Sequence, residues 1–388
     1  MSRKRRKICV FSGKRGGFGA YLPLLRLMES DSSLELQILL GDMHTAKEFG
    51  NTADEVRKSF PSTAIEIVEM GTGRQDSPLA RAENLGVCLT KSAQVISKLN
   101  PDVVMVHGDR GEHLMVAFAA VNLGKVVTHT QGGEVSGNID DIQRHAITKL
   151  AHLHFPETRL AAKNVGKLGE EAWRIHTVGS LYIDRIVKKM YTENSVAKVK
   201  WGLKLSEDYF LIIFHPDTYK TKETNYLAMQ ALLTAVKFTG LRAIVTYPCS
   251  DPGYEGVLSA IEEVKNDSTF LIHKNIDNLD FLGLLAGAKA LVGNSSSALK
   301  EAPYFKLAAL DIGRRQEGRE KESNVHTVGM SMKDIEKGLN FILCDKKFRS
   351  GLLKRCGFLF GDGCASEKIL KMIKKIDLND RLLRKHLQ

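Results

Sequence analysis

Short apolar runs alternate with amphipathic segments of helical period over almost the whole chain, and this constrains the fold more than any other feature. In the first half, residues 8–11, 36–40, 64–68, 103–106, 125–128, 152–155 and 175–178 read as buried strands. Residues 21–29, 45–59, 79–98 and 113–122 read as the helices between them. Repetition of this kind gives right-handed crossovers and a parallel sheet. The pattern loosens into a charged stretch near residues 188–201. A second series of strands follows at 210–214, 242–246, 270–272, 290–292 and 308–312, separated by helical patterns at 225–238, 254–264, 279–287 and 297–303. With 388 residues the chain is too long for one core. The expectation is an α/β protein of two doubly wound parallel-sheet domains, residues 1–188 and 189–388, with a ligand cleft between them. The C-terminal helical stretches, 332–344 and 366–376, are basic and could pack back on the first domain.

Composition narrows the partners. A hydrophobic content of 43% and a charged content of 26% are those of a soluble globular protein. The net charge of +11 suits an anionic ligand or a nucleic acid. Part of that excess is the run Arg3-Lys4-Arg5-Arg6-Lys7, which reads as a solvated tail, because no aromatic-interleaved basic motif follows. No nucleic-acid partner is expected. Six cysteines without CxxC spacing read as reduced thiols of a cytoplasmic protein. His152 and His154 have no third ligand at a familiar spacing, so no metal is expected. The apolar run at 8–11 is too short for a signal peptide, and no stretch has the length of a membrane span.

Chemistry concentrates where strands end. Residues 129–154, HTQGGEVSGNIDDIQRHAITKLAHLH, hold three carboxylates, an arginine and several histidines around one helix start. Ile139, Ile142, Ala146 and Leu150 fall at helical spacing, so a helix begins near 138–140 with Asn or Asp as its cap. Asp140 alone reads as a capping acid. Glu134 follows Gly132-Gly133 at a strand end and Asp141 sits in the first helical turn, on the edge where open α/β sheets bind ligands. His107-Gly108-Asp109-Arg110 ends the fourth strand; the Asp–Arg pair can be a plain ion pair, but its position favours function. The loop Gly13-Lys14-Arg15-Gly16-Gly17-Phe18-Gly19 is neither GxGxxG nor a P-loop. It can serve as an anion cradle with Arg15 as its cation, or as a tight strand-to-helix turn.

In the second half, His215 of His215-Pro216-Asp217-Thr218 stands at the end of a strand facing the cleft. Gly293-Asn294-Ser295-Ser296-Ser297 follows another strand and opens a helix, an arrangement suited to phosphate. Glu301, one turn on, could accept from ribose hydroxyls. Arg314, Arg315 and Arg319 supply cations to the same edge.

Taken together and in order, HGDR, GGEVSGNIDD..RHAITKLAH, HP, GNSS and GRRQEGRE resemble the hydrolysing UDP-N-acetylglucosamine 2-epimerases of sialic-acid synthesis, collinearly over about residues 8–376. The resemblance implies a GT-B-like fold of two Rossmann-type domains with UDP in the cleft, a homodimer or dimer of dimers, no metal and no cofactor. It implies that UDP-N-acetylglucosamine loses UDP by elimination across C1–C2 and that water adds back to release N-acetylmannosamine. By motif position, Asp109, Glu134 and Asp141 correspond to the catalytic carboxylates and His215 to the histidine near the leaving phosphates. Arg15, Arg110, Ser295, Ser296, Glu301 and Arg315 correspond to nucleotide-binding positions. One departure lies in the first loop, where the family has G-x-R-A-(D/E)-(Y/F)-G and this chain has GKRGGFG, with Gly17 in place of the acid. A related enzyme of legionaminic-acid synthesis performs the same reaction on UDP-N,N'-diacetylbacillosamine, which is the alternative substrate. A GT-B glycosyltransferase is the alternative class, and it leaves the carboxylate-rich 132–141 segment without a role.

Overall fold

Two six-stranded sheets, each parallel throughout, organise the chain in the computed structural model, which describes residues 5–13, 15–44, 52–70, 78–136, 139–249, 251 and 253–386. The chain divides into two compact units, Met1–Asp184 with Gly361–Gln388, and Arg185–Phe360. The first unit runs β1 (Arg6–Ser12), α1 (Arg15–Ser30), β2 (Leu34–Leu40), α2 (Ala53–Ser59), β3 (Ala64–Ile67), α3 (Pro78–Leu99) and β4 (Val103–His107). It continues through α4 (Gly111–Asn122), β5 (Val126–Thr130), α5 (Ile139–Leu150), β6 (Leu153–Phe155) and α6 (Arg159–Lys167) to α7 (Leu181–Val187), which leads into the second unit. That unit runs α8 (Asn194–Lys200), β7 (Tyr209–Ile213), α9 (Lys222–Phe238), β8 (Arg242–Thr246), α10 (Tyr254–Glu263), β9 (Phe270–His273) and α11 (Asn278–Gly287). It ends with β10 (Ala290–Gly293), β11 (Ala309–Ile312), β12 (Val325–Val328), α12 (Met332–Cys344) and α13 (Lys346–Arg355). Two further helices, α14 (Ala365–Lys375) and α15 (Asp380–Leu383), belong to the first unit.

The strand orders are β3-β2-β1-β4-β5-β6 and β12-β11-β10-β7-β8-β9. Each is the doubly wound Rossmann order, reversing between the unit's first and fourth strands, and ligands bind at such a reversal. Period-two geometry explains why the central strands carry apolar residues on both faces. Ile8 and Val10 of β1 pack on Tyr21, Leu24 and Met28 of α1, while Cys9 and Phe11 face Val116 and Ala120 of α4 on the other side. In β7, Phe210 and Ile212 meet α9, α10 and α12, and Tyr209 and Leu211 meet the layer of α8 and α11.

The C-terminal segment is fastened to the first unit by polar contacts as well as apolar ones. Ile369 and Ile373 enter the core beside α1. The Asp184 carboxylate accepts from the Ala365 and Ser366 N–H groups at 2.9 and 2.7 Å, satisfying the open end of α14. The fully buried Arg174 guanidinium donates to the carbonyls of Leu382, Arg381 and Arg384.

Four sequence expectations need correction. Residues 175–178 form no strand beyond a single bridge between His154 and Ile175. The charged stretch near 188–201 contains a helix, α8, whose Ala197 is in the core. β12 was not anticipated, because Val325-His326-Thr327-Val328 is a short edge strand with two polar residues among four. Residues 297–303 are not an α-helix: two 3₁₀ turns, Ser296–Ala298 and Ala302–Phe305, replace it. Pro303 cannot donate to a continuing helix, and Lys306 ends the segment at φ 55°. The expected helix start at 45–51 lies outside the described residues. No helix among the described residues is long and apolar enough to cross a membrane.

Candidate active site

The site of the first unit is built where β4 and β5 end. Gly108, at φ 79°, turns the chain so that Asp109 follows β4 directly. After β5 the backbone passes through Gln131 at φ 66° and Gly133 at φ 84°. A Cβ on Gly133 would lie 2.1 Å from the Ala161 carbonyl oxygen, so only glycine lets this loop lie against α6. His129 ties the two loops together. Its Nε2 donates to the Gly108 carbonyl at 2.8 Å, and burial pushes its pKa down to about 3, which keeps the ring neutral.

Arg144 brings the carboxylates into one place. It is among the largest fully buried side chains of the protein, and its guanidinium donates to the carboxylates of Asp109 and Asp141 and, at 2.9 Å, to the Glu134 carbonyl. Asp141 lies one helical turn before it and accepts the Ser136 N–H at 2.8 and 2.7 Å and the Ser136 hydroxyl at 2.8 Å. That clamp draws the loop carrying Glu134 onto the first turn of α5. Burial opposes the Arg144 charge, but Asp109, Glu134 and Asp141 outweigh it and raise its pKa. Two of the three expected carboxylates, Asp109 and Asp141, therefore bind one fixed cation directly, and Glu134 is held to it through its backbone carbonyl, with its charge acting on the same guanidinium. Arg144 was not in the set expected from sequence. The signal was present, because it stands three residues after Asp141 on a helix face.

The remaining residues expected in this unit are placed differently. Arg110 donates to Glu112 at 2.7 Å and lies 3.5 Å from Asp42; Glu112, then burial, then Asp42 act on its charge, and the net effect is a raised pKa. Its cation is thus matched within the unit. Glu112 also backs the first loop, since a Cβ on Gly13 would lie 2.7 Å from its Oε1. Arg15 opens α1, with its side chain outside the described set. A small cavity is lined by Ser12, Gly13, Tyr21, His107, Asp109, Gln131 and Tyr182. His107 stands between the two tyrosines, with ring centroids 5.2 and 5.8 Å away.

In the second unit, His215 follows β7 and Asn294 follows β10, on either side of the strand-order reversal. The His215 N–H donates to Asn294 Oδ1 at 2.7 Å, and Asn294 Nδ2 donates back to the His215 carbonyl at 2.8 Å. Gly293, at φ 139°, permits this closeness, because a Cβ there would lie 2.0 Å from the Ile213 carbonyl oxygen. His215 Nδ1 accepts the Cys249 N–H at 3.1 Å, so the neutral ring carries its proton on Nε2. Gln316 donates to the Asn294 carbonyl at 2.8 Å, and Arg315 reaches the same oxygen and Asp251 at 3.5 Å each. His215, the start of the serine loop and Arg315 are thereby brought together around Asn294, a residue not singled out from sequence.

Ser295 is buried and caps its own turn, accepting the Ser297 N–H at 3.3 Å. Ser296 opens a three-residue 3₁₀ turn, so the expected positive end of an α-helix is absent here. Glu301 is buried in the next turn, and burial raises its carboxyl pKa. Among the described residues no group of three or more His, Cys, Asp or Glu side chains is arranged to hold a metal.

Two parallel Rossmann units, one carrying clustered carboxylates and the other a histidine and serine loop, define a GT-B-like sugar-nucleotide enzyme. The model of the UDP-N-acetylglucosamine 2-epimerase family matches residues 26–374, and the chain belongs to that family. It is 31% identical over 381 residues, 98% of both chains, to the UDP-N,N'-diacetylbacillosamine 2-epimerase (hydrolyzing) of Legionella pneumophila. It is 33% identical to a UDP-N-acetylglucosamine 2-epimerase of Neisseria meningitidis over 83% of this chain and 84% of that one. The crystal structure of a UDP-GlcNAc 2-epimerase from Neisseria meningitidis bound to UDP-GlcNAc superposes with a TM-score of 0.77 at 16% identity, covering 96% of this chain and 100% of that chain, and shares the fold.

Proposed function

We propose that the protein is a hydrolysing 2-epimerase that converts UDP-N-acetylglucosamine and water to N-acetylmannosamine and UDP. The observation that carries the reading is the clustering of Asp109, Glu134 and Asp141 around the buried Arg144. In the first step a carboxylate takes the C2 proton, the C1–O bond breaks, and its electron pair leaves with UDP, giving a C1=C2 glycal. In the second step water adds to C1 through its oxygen as a carboxyl group returns a proton to C2 on the opposite face, and the proton that the water gives up passes to a carboxylate. Both steps need groups that exchange protons while a cation nearby holds them in place. The three carboxylates share these tasks. His215 donates from Nε2 to the departing phosphate, with Ser295, Ser296 and Arg315 as further partners of UDP and Glu301 as acceptor for the ribose hydroxyls. Arg15 and Arg110 stay assigned to the nucleotide, Arg110 by exchanging one of its carboxylate partners for phosphate. The reading includes a homodimer or a dimer of dimers, which light scattering of the purified protein checks.

Similarity to the Legionella enzyme over nearly the full length of both chains supports a second reading of the sugar, UDP-N,N'-diacetylbacillosamine. Incubating the protein with each UDP-sugar and identifying the released sugar by NMR tests both. Free N-acetylmannosamine supports the first substrate. A free 2-epimerised diacetylamino sugar supports the second. A 2-epimer still attached to UDP would contradict the hydrolytic step.

A further inference from the structure

Gln131 follows β5 in a left-handed backbone conformation, φ 66°, that a residue with a side chain adopts only at a cost and that glycine adopts freely. Glycine is at hand in the two following positions, so the side chain at 131 has a use that offsets the strain. Its amide is fixed. Nε2 donates to Glu157 Oε1 at 2.9 Å, and the same oxygen accepts the Ser180 hydroxyl at 2.8 Å. Glu157 and Ser180 are both buried. A carboxylate oxygen accepts only, so the amide cannot be reversed, and its carbonyl must point the other way. That carbonyl lies toward Gly108: a Cβ built there would be 3.3 Å from Gln131 Oε1. Gln131 lines the same cavity as Asp109, and Oε1 meets no donor among the described residues.

We propose that Gln131 is the residue that reads the N–H of the sugar's 2-acetamido group, with Glu157 as the positioning residue that holds its amide. The inference rests on the function proposed above and adds a specificity determinant to it. A fixed neutral carbonyl beside Asp109, one of the three proposed catalytic carboxylates, matches an amide N–H, which can only donate. It also orients the C2 substituent, and with it the C2 hydrogen, relative to Asp109. The acceptor serves both candidate substrates, because each carries an acetamido group at C2.

The test pairs a protein change with a ligand change. Gln131→Met keeps length and removes the acceptor; Gln131→Gly removes the side chain and suits the backbone, so folding strain cannot explain its effect. For each protein, affinity is measured for the UDP-acetamido sugar that the wild type turns over and, by competitive inhibition, for UDP-2-deoxyglucose, which has no donor at C2. The expected result is that both variants bind the acetamido sugar about 5-fold or more weakly, the order of one hydrogen bond, and bind the 2-deoxy compound as the wild type does. Parallel weakening of both ligands would mean a merely structural role and would overturn the proposal, as would unchanged affinity for both. If the wild type releases UDP from neither acetamido sugar, the proposed function falls and this inference falls with it.

Discussion

At the scale of single residues, Arg144 ties the acidic segments of the first unit together. Its guanidinium fork reaches carboxylates that arrive from two different segments, after β4 and at the start of α5. A lysine has one point of charge and no fork, so Arg144→Lys is expected to lower turnover by at least ~10²-fold while UDP affinity stays within a factor of a few. Initial rates and UDP titration check this. Asp109→Asn, Glu134→Gln and Asp141→Asn keep shape and remove the proton-exchanging or charged role. Each is expected to lower kcat by ~10²–10⁴-fold with UDP binding retained. A near-normal kcat in any one strikes that residue from the catalytic set. The sequence made these three acids legible because each stands beside a glycine break or a helix start. It hid what joins them: nothing in the spacing of Asp109 and Arg144, 35 positions apart, says that they touch.

At the scale of elements, the strand alternation was legible because parallel strands buried on both faces carry continuous apolar runs, as residues 8–11 of β1 and the whole of β7 do. Edge elements were less so. β12 has a polar pair and needs only one neighbour, β11. The stretch after β10 read as a helix because its apolar spacing suits one, yet Pro303 divides it into two 3₁₀ turns. Under the proposed assignment, phosphate there would be held by serine hydroxyls and local N–H groups rather than by an α-helix dipole. Ser296→Ala is accordingly expected to weaken UDP itself by a few-fold, whichever sugar is attached, as calorimetry would read. The turn also needs Gly293. Gly293→Ala would force a Cβ into the Ile213 carbonyl, and a large fall in thermal midpoint is the expected outcome. His152, just before the edge strand β6, and His154 within it are both buried and hydrogen-bonded inside the first unit. His152 Nδ1 accepts the Val127 N–H, and His154 pairs with Glu170. Burial pushes the Glu170 carboxyl up, but hydrogen bonds from His154, Lys149 and Lys385 bring it down to about 2. A carboxyl lowered in the folded state contributes stability above its unfolded value near 4.5 and loses it as pH falls toward 2. Glu170→Gln should therefore cost about 3 kcal/mol near neutrality, with the gap to wild type narrowing through that acid window in urea titrations.

For the whole molecule, the same strand order occurs twice, and the loop after the fourth strand carries different chemistry in each unit. In the first, the loop after β4, with that after β5, presents carboxylates; in the second, the loop after β10 presents serines, and that after β7 a histidine. The C-terminal helices return to the first unit and are held by Asp184 and Arg174, which sequence periodicity alone could not assign. The central claim is elimination followed by hydration, and solvent isotope tests it most directly. The wild-type protein is incubated with UDP-N-acetylglucosamine, and in parallel with UDP-N,N'-diacetylbacillosamine, in deuterium oxide and ¹⁸O-labelled water, and the products are followed by NMR and mass spectrometry. The account predicts free 2-epimerised sugar with deuterium at C2 and ¹⁸O at C1, and UDP without the label. Retention of the original hydrogen at C2, or ¹⁸O in the released UDP with none at C1 of the sugar, would contradict it.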